Sequence, residues 1–265
     1  KDAAEKITID YKALPIVTET DEAYESDAAL WDECPENESF YFTQGDKEAV
    51  DAAFAKAHHV TTQRFVISRI AANAMEPRGC TGEYNIHEER YTLHGCVGAL
   101  HSVRRLLATE VFKVPENQFR VICGDIGGAF GSKGVTSTEN ILALYAAKKI
   151  GRPVKWVGER SETFLSDDHA RDNISDVDLA LDENGKFLAL RVRTLCNLGA
   201  YLTSDRTLLA TFGNLGSLAG VYTTPNIHVR VHGMFTNTVA TATYRGAGRP
   251  EASYLVEGII DRAAT

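Results

Sequence analysis

One stretch restricts this chain more than any other: Gly124-Asp125-Ile126-Gly127-Gly128-Ala129-Phe130-Gly131-Ser132-Lys133-Gly134. It lies between Phe119 to Cys123, which reads as a strand, and Thr138 to Ile150, whose apolar residues recur at helical spacing. Successive glycines let main-chain N–H groups turn toward one point, and a helix start adds partial positive charge. Both favour an anion, and the missing Cβ atoms let a bulky ligand approach the backbone. Lys133 either adds a charge there or is a solvated surface lysine. Two familiar phosphate loops do not fit. A P-loop ends in Gly-Lys-Ser/Thr, and here the order is Gly131-Ser132-Lys133-Gly134. A dinucleotide fingerprint needs glycine where Ile126 stands. A tight turn between packed elements is the competing reading.

The remaining pattern mixes strands and helices without strict alternation, which predicts an α+β, or mixed α/β, fold. Ile7 to Val17 reads as a strand and Asp21 to Phe40 as an acidic exposed linker. Asp46 is placed to cap a helix running to His58, with His58-His59 closing it. Val60 to Ile70 reads as a strand, and Glu83 to Ile86 with Tyr91 to Leu93 as a hairpin. A helix is expected over His101 to Phe112 with Val103, Leu106, Leu107 and Val111 on one face. Gly151-Arg152-Pro153 stops the helix of Thr138 to Ile150, and Val154 to Val157 follows as a strand. Val177 to Leu181 and Phe187 to Arg193 flank an Asn-Gly turn. Asn226 to Phe235 reads as a strand and Glu251 to Asp261 as a closing helix.

The chain has 265 residues, 44% hydrophobic and 24% charged, enough for one large domain or two small ones. A net charge of -8 argues against a general nucleic-acid surface. No apolar stretch is long enough to span a membrane. The start at Lys1-Asp2-Ala3-Ala4-Glu5 and the stop inside a helical pattern are expected of a piece of a longer protein. Cysteines at 34, 80, 96, 123 and 196 form no Cys-x-x-Cys pair, so zinc ribbons and iron–sulfur ligation are not expected. Their odd number and wide spacing suit free thiols in a reducing cytosol, the expected location. His228 and His232 share a strand face without a third ligand nearby, and no metal site is assigned. Asp167-Asp168-His169-Ala170-Arg171-Asp172 could suggest metal or acid–base chemistry, and a solvated or salt-bridged turn is the expected reading.

A second glycine-rich turn, Tyr244-Arg245-Gly246-Ala247-Gly248-Arg249-Pro250, again joins a strand to a helix. Pro250 suits a first helical turn. Arg245 and Arg249 set two fixed positive charges beside a flexible backbone, suited to an anionic or carbonyl-bearing ligand. Capping with surface arginines is the alternative.

The two loops together resemble the signature loops of the molybdenum hydroxylases, the xanthine dehydrogenase, aldehyde oxidase and carbon monoxide dehydrogenase-like family. Asn73-Ala74-Met75-Glu76-Pro77-Arg78-Gly79, His101-Ser102-Val103-Arg104-Arg105 and His169-Ala170-Arg171-Asp172 resemble further stretches of it, in family order. Ile7-Thr8-Ile9-Asp10-Tyr11-Lys12-Ala13-Leu14-Pro15 is similar to the tail of the preceding domain. The resemblance implies the first half of a molybdopterin-binding domain, with mixed sheets and packed helices, over 46–265. An acidic linker would occupy 21–45 and the tail of the preceding α/β domain 1–20.

It also implies molybdopterin with molybdenum, carried as the cytosine dinucleotide in many bacterial members. Iron–sulfur clusters and FAD would lie on partner subunits or domains. The implied chemistry is oxidation of an aldehyde or heterocycle-type carbon with water-derived oxygen. Carried over by position, Gly127, Gly128, Ala129, Phe130, Gly131, Ser132, Arg245, Gly246 and Ala247 would line the cofactor, with Arg245 also placing substrate and oxo ligands. The family's general-base glutamate belongs to the second half of the domain, outside this chain. Gly98 stands where relatives carry a glutamine. Gly134 replaces a substrate-binding glutamate, which argues against purine hydroxylation. Gly246 replaces the cysteine of true carbon monoxide dehydrogenases, which argues against a copper-bridged centre. A non-catalytic scaffold and a nucleotide-phosphate binder using Gly124 to Gly134 are the other two readings.

Overall fold

A computed structural model describes residues 4–204, 207–208 and 215–265. Residues 1–3 of the expected N-terminal tail lie outside the described residues. In chain order, α1 (Thr20–Glu25), β1 (Glu38–Gly45), α2 (Lys47–Phe54), β2 (His59–Ile67) and the short β3 (Ile70–Ala71) come first. There follow β4 (Gly79–Asn85), β5 (Arg90–Gly95), α3 (Leu100–Arg105), β6 (Phe119–Ile122), α4 (Thr138–Ile150), β7 (Val154–Val157) and α5 (Arg160–Ser166). The last elements are β8 (His169–Ala170), β9 (Asn173–Leu181), β10 (Phe187–Gly199), β11 (Asn226–Phe235) and α6 (Arg249–Ala263).

The larger sheet has the order β1-β11-β10-β9-β2, with only β10 and β11 parallel. Strand alternation explains its two faces. Val177 and Leu179 on β9 and Leu190 and Val192 on β10 turn to one face, where α6 lays Ala252, Leu255, Val256 and Ile259 over them. The spacing of those α6 residues makes one helical stripe. The opposite face carries Asp178 against Arg191 at 3.0 Å and Asp176 against Arg193 at 3.6 Å. There α2 packs Val50 on Ala180 and Ala189. Asp46 caps α2, its Oδ1 accepting from Ala49 N–H at 3.0 Å.

The smaller sheet has the order β6-β5-β4-β7, with β5 and β6 parallel. Its core gathers Leu93, Val103, Leu107, Phe119 and Leu144 under α3 and α4. Helix α4 starts at a Ser137 cap and ends at Gly151, whose φ of 67° is left-handed. Its backbone lies directly on Gly82 of β4: a Cβ there would stand 2.6 Å from the Ala143 carbonyl carbon. The glycine-rich run therefore leaves the end of β6, at the carboxyl edge of a parallel strand pair, before the chain enters α4. Open α/β sheets place ligand-binding loops at such edges. The two-stranded ladder of β3 and β8 pairs Ile70 with Ala170 and Ala71 with His169.

The mixed α/β architecture is the one expected from sequence, and four local readings are corrected. Residues 7–17 form no strand; Ile7, Ile9, Tyr11, Leu14 and Ile16 are all exposed, so the alternation has no described sheet to bury one face. The acidic stretch from Asp21 contains α1 and the start of β1, which pairs with β11 along its length. Its acidic side chains point outward and hide the period. The helix after Asp46 ends at Phe54, and His59 opens β2, so the two histidines close no helix. The segment from Leu100 is α-helical to Arg105 and widens into π-type turns over Leu106–Phe112.

Gly82→Ala tests the contact between the sheet and α4. The added methyl meets helix backbone, which cannot rotate aside, so stability falls by about 1–3 kcal/mol. Urea unfolding of the variant shows a lower midpoint with an unchanged slope; an unchanged midpoint would mean that α4 is free to shift.

Candidate functional site

The first loop is built from unusual backbone. Gly128 and Gly131 have φ of 97° and 111°, and Phe130 between them has φ of 50°. Gly131 cannot be replaced without strain, because a Cβ there would lie 2.3 Å from the Thr243 carbonyl oxygen. Ser132 N–H donates to Ala129 O at 3.0 Å and Gly134 N–H to Gly131 O at 3.2 Å, so the run coils into tight turns. Among the described residues the N–H groups of Gly128, Ala129, Phe130 and Gly131 have no acceptor. Helix α4 begins only at Thr138, so its N-terminus does not contribute the positive end expected at the run.

The second loop meets the first directly. Arg245 N–H donates to the Phe130 carbonyl at 2.8 Å, and the Phe130 and Tyr244 rings stand 6.3 Å apart. Gly246 and Gly248 have φ of 98° and 90°, and Ala247 has φ of 46°. The Arg245 guanidinium is exposed and has no acidic partner among the described residues. Two glycine-rich loops from distant parts of the chain thus form one surface, with a ring that is 40% exposed and a free cation.

Buried charge holds both loops in place. On the second, Arg171 Nη1 lies 2.5 Å from Glu251 Oε1, with both side chains largely buried. Arg171 Nη2 also donates to the Arg245 carbonyl at 3.2 Å, and its guanidinium covers the Tyr244 ring at 5.3 Å. Arg171 and Asp172 both have positive φ, near 65°, a strain that surrounding contacts must hold. On the first loop, Lys133 is no solvated lysine: its side chain is 2% exposed and its Nζ meets Glu76 Oε2 at 2.8 Å. That hydrogen bond holds the Glu76 carboxyl below its ordinary value. Arg160 steadies the segment before Glu76, donating to Asn73 Oδ1 at 2.7 Å and Met75 O at 2.9 Å. Glu76, Arg160 and Glu251 carry no sequence signal of their own for these roles, since every partner is remote in the chain.

The turn at Asp167 to Asp172 is salt-bridged as expected, through Arg78 to Asp167 and Arg69 to Asp172. Beside it a cavity of about 290 Å³ is lined by Ser132, Thr136, Asp168, Tyr201 and Thr203 among others. Burial pushes Asp168 up to about 6, although Thr203 donates to it at 2.9 Å. His228 contacts Thr43 at 3.1 Å and His232 contacts Glu38 at 2.6 Å, so each histidine has its own local partner. Among the described residues no group of three or more His, Cys, Asp or Glu side chains is placed to hold a metal ion. The five cysteines are free.

Residues 30–265 match the model of the molybdopterin cofactor-binding domain. The chain belongs to that family. The molybdopterin-binding fold is also evident in solved structures. One is the reconstituted CO dehydrogenase from Oligotropha carboxidovorans, 30% identical with a TM-score of 0.92, covering 99% of this chain and 34% of that one. Another is quinoline 2-oxidoreductase from Pseudomonas putida 86, 30% identical with a TM-score of 0.90, covering 99% and 33%. Among curated relatives, the 6-hydroxypseudooxynicotine dehydrogenase complex subunit gamma of Paenarthrobacter nicotinovorans is 33% identical over 264 residues, 99% of this chain and 32% of that protein. The carbon monoxide dehydrogenase large chain of Afipia carboxidovorans is 32% identical over 278 residues, 99% and 34%. This molybdopterin-binding chain spans about a third of the length of these relatives.

The residues present fit such a cofactor. Four consecutive N–H groups without acceptors, an exposed ring and an unpaired guanidinium suit a large ligand with oxygen acceptors and negative charge. Glycine and Ala129 leave the backbone of the first loop open to it.

Asp168 gives a pH test of the cavity beside the loops. Its folded value, about 6, lies above its ordinary 3.8. Between these values the native state keeps a proton that the unfolded chain has released. Stability therefore falls as pH rises from about 4 to about 6, by on the order of 2 kcal/mol. Asp168→Asn flattens that part of the curve in urea unfolding; a slope equal to wild type's would show that Asp168 is solvated.

Proposed function

We propose that this chain is the first half of the molybdopterin-binding domain of an oxidoreductase that adds water-derived oxygen to an aldehyde or heterocycle-type carbon. The observation that carries this reading is the Arg245 N–H to Phe130 carbonyl bond at 2.8 Å, which fuses the two signature loops into one wall. Gly127, Gly128, Ala129, Phe130, Gly131, Ser132, Arg245, Gly246 and Ala247 line that wall for the cofactor. When bound, molybdopterin supplies the two-electron redox chemistry.

The chain's own residues do the positioning. The N–H groups of Gly128 to Gly131 bind acceptor oxygens, and the Phe130 ring covers one side of the reacting space. The Arg245 guanidinium orients anionic or oxo-bearing groups, and its side chain is the one assigned to catalysis here. The general base comes from the remaining polypeptide. The cytosine dinucleotide form of the cofactor, iron–sulfur and flavin partners, and a cytoplasmic location belong to the same proposal. A relative named as a subunit of a dehydrogenase complex and another named as a large chain support further subunits, five free thiols suit a reducing compartment, and the dinucleotide, iron–sulfur and flavin assignments rest on the family resemblance. Among the described residues no helix is long and apolar enough to cross a membrane.

The nucleotide-phosphate reading is disfavoured by Lys133, whose ammonium is already held by Glu76. The test uses the full-length polypeptide from a molybdate-fed host. Elemental analysis finds molybdenum bound to wild type, and Arg245→Ala lowers kcat/KM by about a hundredfold, the usual cost of removing a charged group that stabilises the transition state. Wild type devoid of molybdenum would sink the proposal and favour a non-catalytic scaffold. ATP binding that depends on Lys133 would favour the nucleotide reading.

A further inference from the structure

Glu76 makes four polar contacts with the first loop. Its Oε2 accepts from Gly127 N–H at 3.0 Å and from Lys133 Nζ at 2.8 Å. Its carbonyl accepts a second bond from Lys133 Nζ at 2.8 Å, and its N–H donates to the Gly127 carbonyl at 3.1 Å. One residue thus grips the run at both ends. The approach is close: a Cβ at position 127 would lie 2.5 Å from the Glu76 Cβ, so only glycine allows it. The Lys133 carbonyl in turn accepts from Gly98 N–H at 2.8 Å, which ties the grip to the segment after β5. Lys133 is 2% exposed, and among the described residues Glu76 is the acidic partner of its ammonium. The Glu76 side chain is 39% exposed and borders a groove of about 390 Å³, so small solutes can reach the site.

A glycine-rich loop with a lysine at its end has the donors of an anion site. Here two of those donors, Gly127 N–H and Lys133 Nζ, are already engaged by a carboxylate of the same chain. We propose that Glu76 is the positioning residue of this loop, an internal anion seated on Gly127 N–H and Lys133 that sets Phe130 and Gly131 against the second loop. The inference rests on the cofactor reading of the two loops and deepens it. A ligand's negative groups are received by the N–H groups of Gly128 to Gly131 and by Arg245, and none by Lys133.

The experiment compares wild type with Glu76→Ala in the full-length polypeptide by amide hydrogen exchange, beside molybdenum content. In Glu76→Ala, exchange over 124–134 quickens about tenfold while β9 and β10 keep their rates, because one hydrogen-bonded, charge-paired clamp is lost. Acetate or formate fills the vacated seat and restores slow exchange; chloride at equal ionic strength does not. The double variant Glu76→Ala/Lys133→Met gains nothing from acetate. A merely structural glutamate would show no carboxylate-specific rescue. If Glu76→Ala unfolds, Glu76→Gln takes its place: it keeps an acceptor oxygen and loses the charge, and exchange over 124–134 quickens with the sheets unchanged. Wild-type exchange in either variant, or equal effects of acetate and chloride, overturns the proposal. Wild type without molybdenum refutes the cofactor reading, while the exchange comparison still decides the role of Glu76.

Discussion

The hydrogen bond from Arg245 N–H to the Phe130 carbonyl joins two pieces of chain that have no reason to meet in sequence. One piece leaves β6 of the smaller sheet, and the other precedes α6, which packs on the larger sheet. Each sheet has its own apolar core, and this bond lies where their loops touch. A single neutral hydrogen bond contributes only about 1 kcal/mol, so it cannot hold the loops by itself. Its geometry depends on ion pairs behind it, the buried Lys133 with the partly exposed Glu76, and Arg171 with Glu251, both largely buried.

Such pairs are poor sources of net stability, since burying two charges costs about what their attraction returns. Their value is in direction. A hydrophobic contact tolerates sliding, whereas Glu76 fixes Gly127 and Lys133 by hydrogen bonds with defined angles. Arg171 similarly fixes the Tyr244 ring, the Arg245 carbonyl and the start of α6 together. The strained backbone at Phe130, Ala247, Arg171 and Asp172 is concentrated in the same place. Strain of this kind persists where surrounding contacts over-determine it.

Much of the fold was legible because its signals are local. Ser137 and Gly151 bound α4 by cap chemistry, and β7 and β11 begin and end where their β-branched and apolar runs do. Strand β1 escaped notice because it is an edge strand in an acidic stretch, where half its residues face solvent and supply no period. The segment 7–17 failed in the opposite sense, with the alternation of a strand and no described partner. The loops themselves could be read from glycine content and from resemblance to a family. The clamps could not. Glu76 and Lys133, or Arg171 and Glu251, become partners only after the chain has folded, and each residue alone reads as a surface charge. Lys133 is the sharpest case, since the same residue suits a phosphate ligand or an internal carboxylate and only burial decides between them.

The Glu76 carboxylate, brought to the loop from the segment before β4, also bears on the kinetics of ligand capture. A loop that orders only when its ligand arrives loses conformational entropy as part of association. Here hydrogen bonds to Glu76 already hold Gly127 and Lys133, so less of that entropy is left to be lost on association. Arrival of a large ligand then resembles docking onto a rigid surface, with its rate set by access from the open side rather than by loop closure.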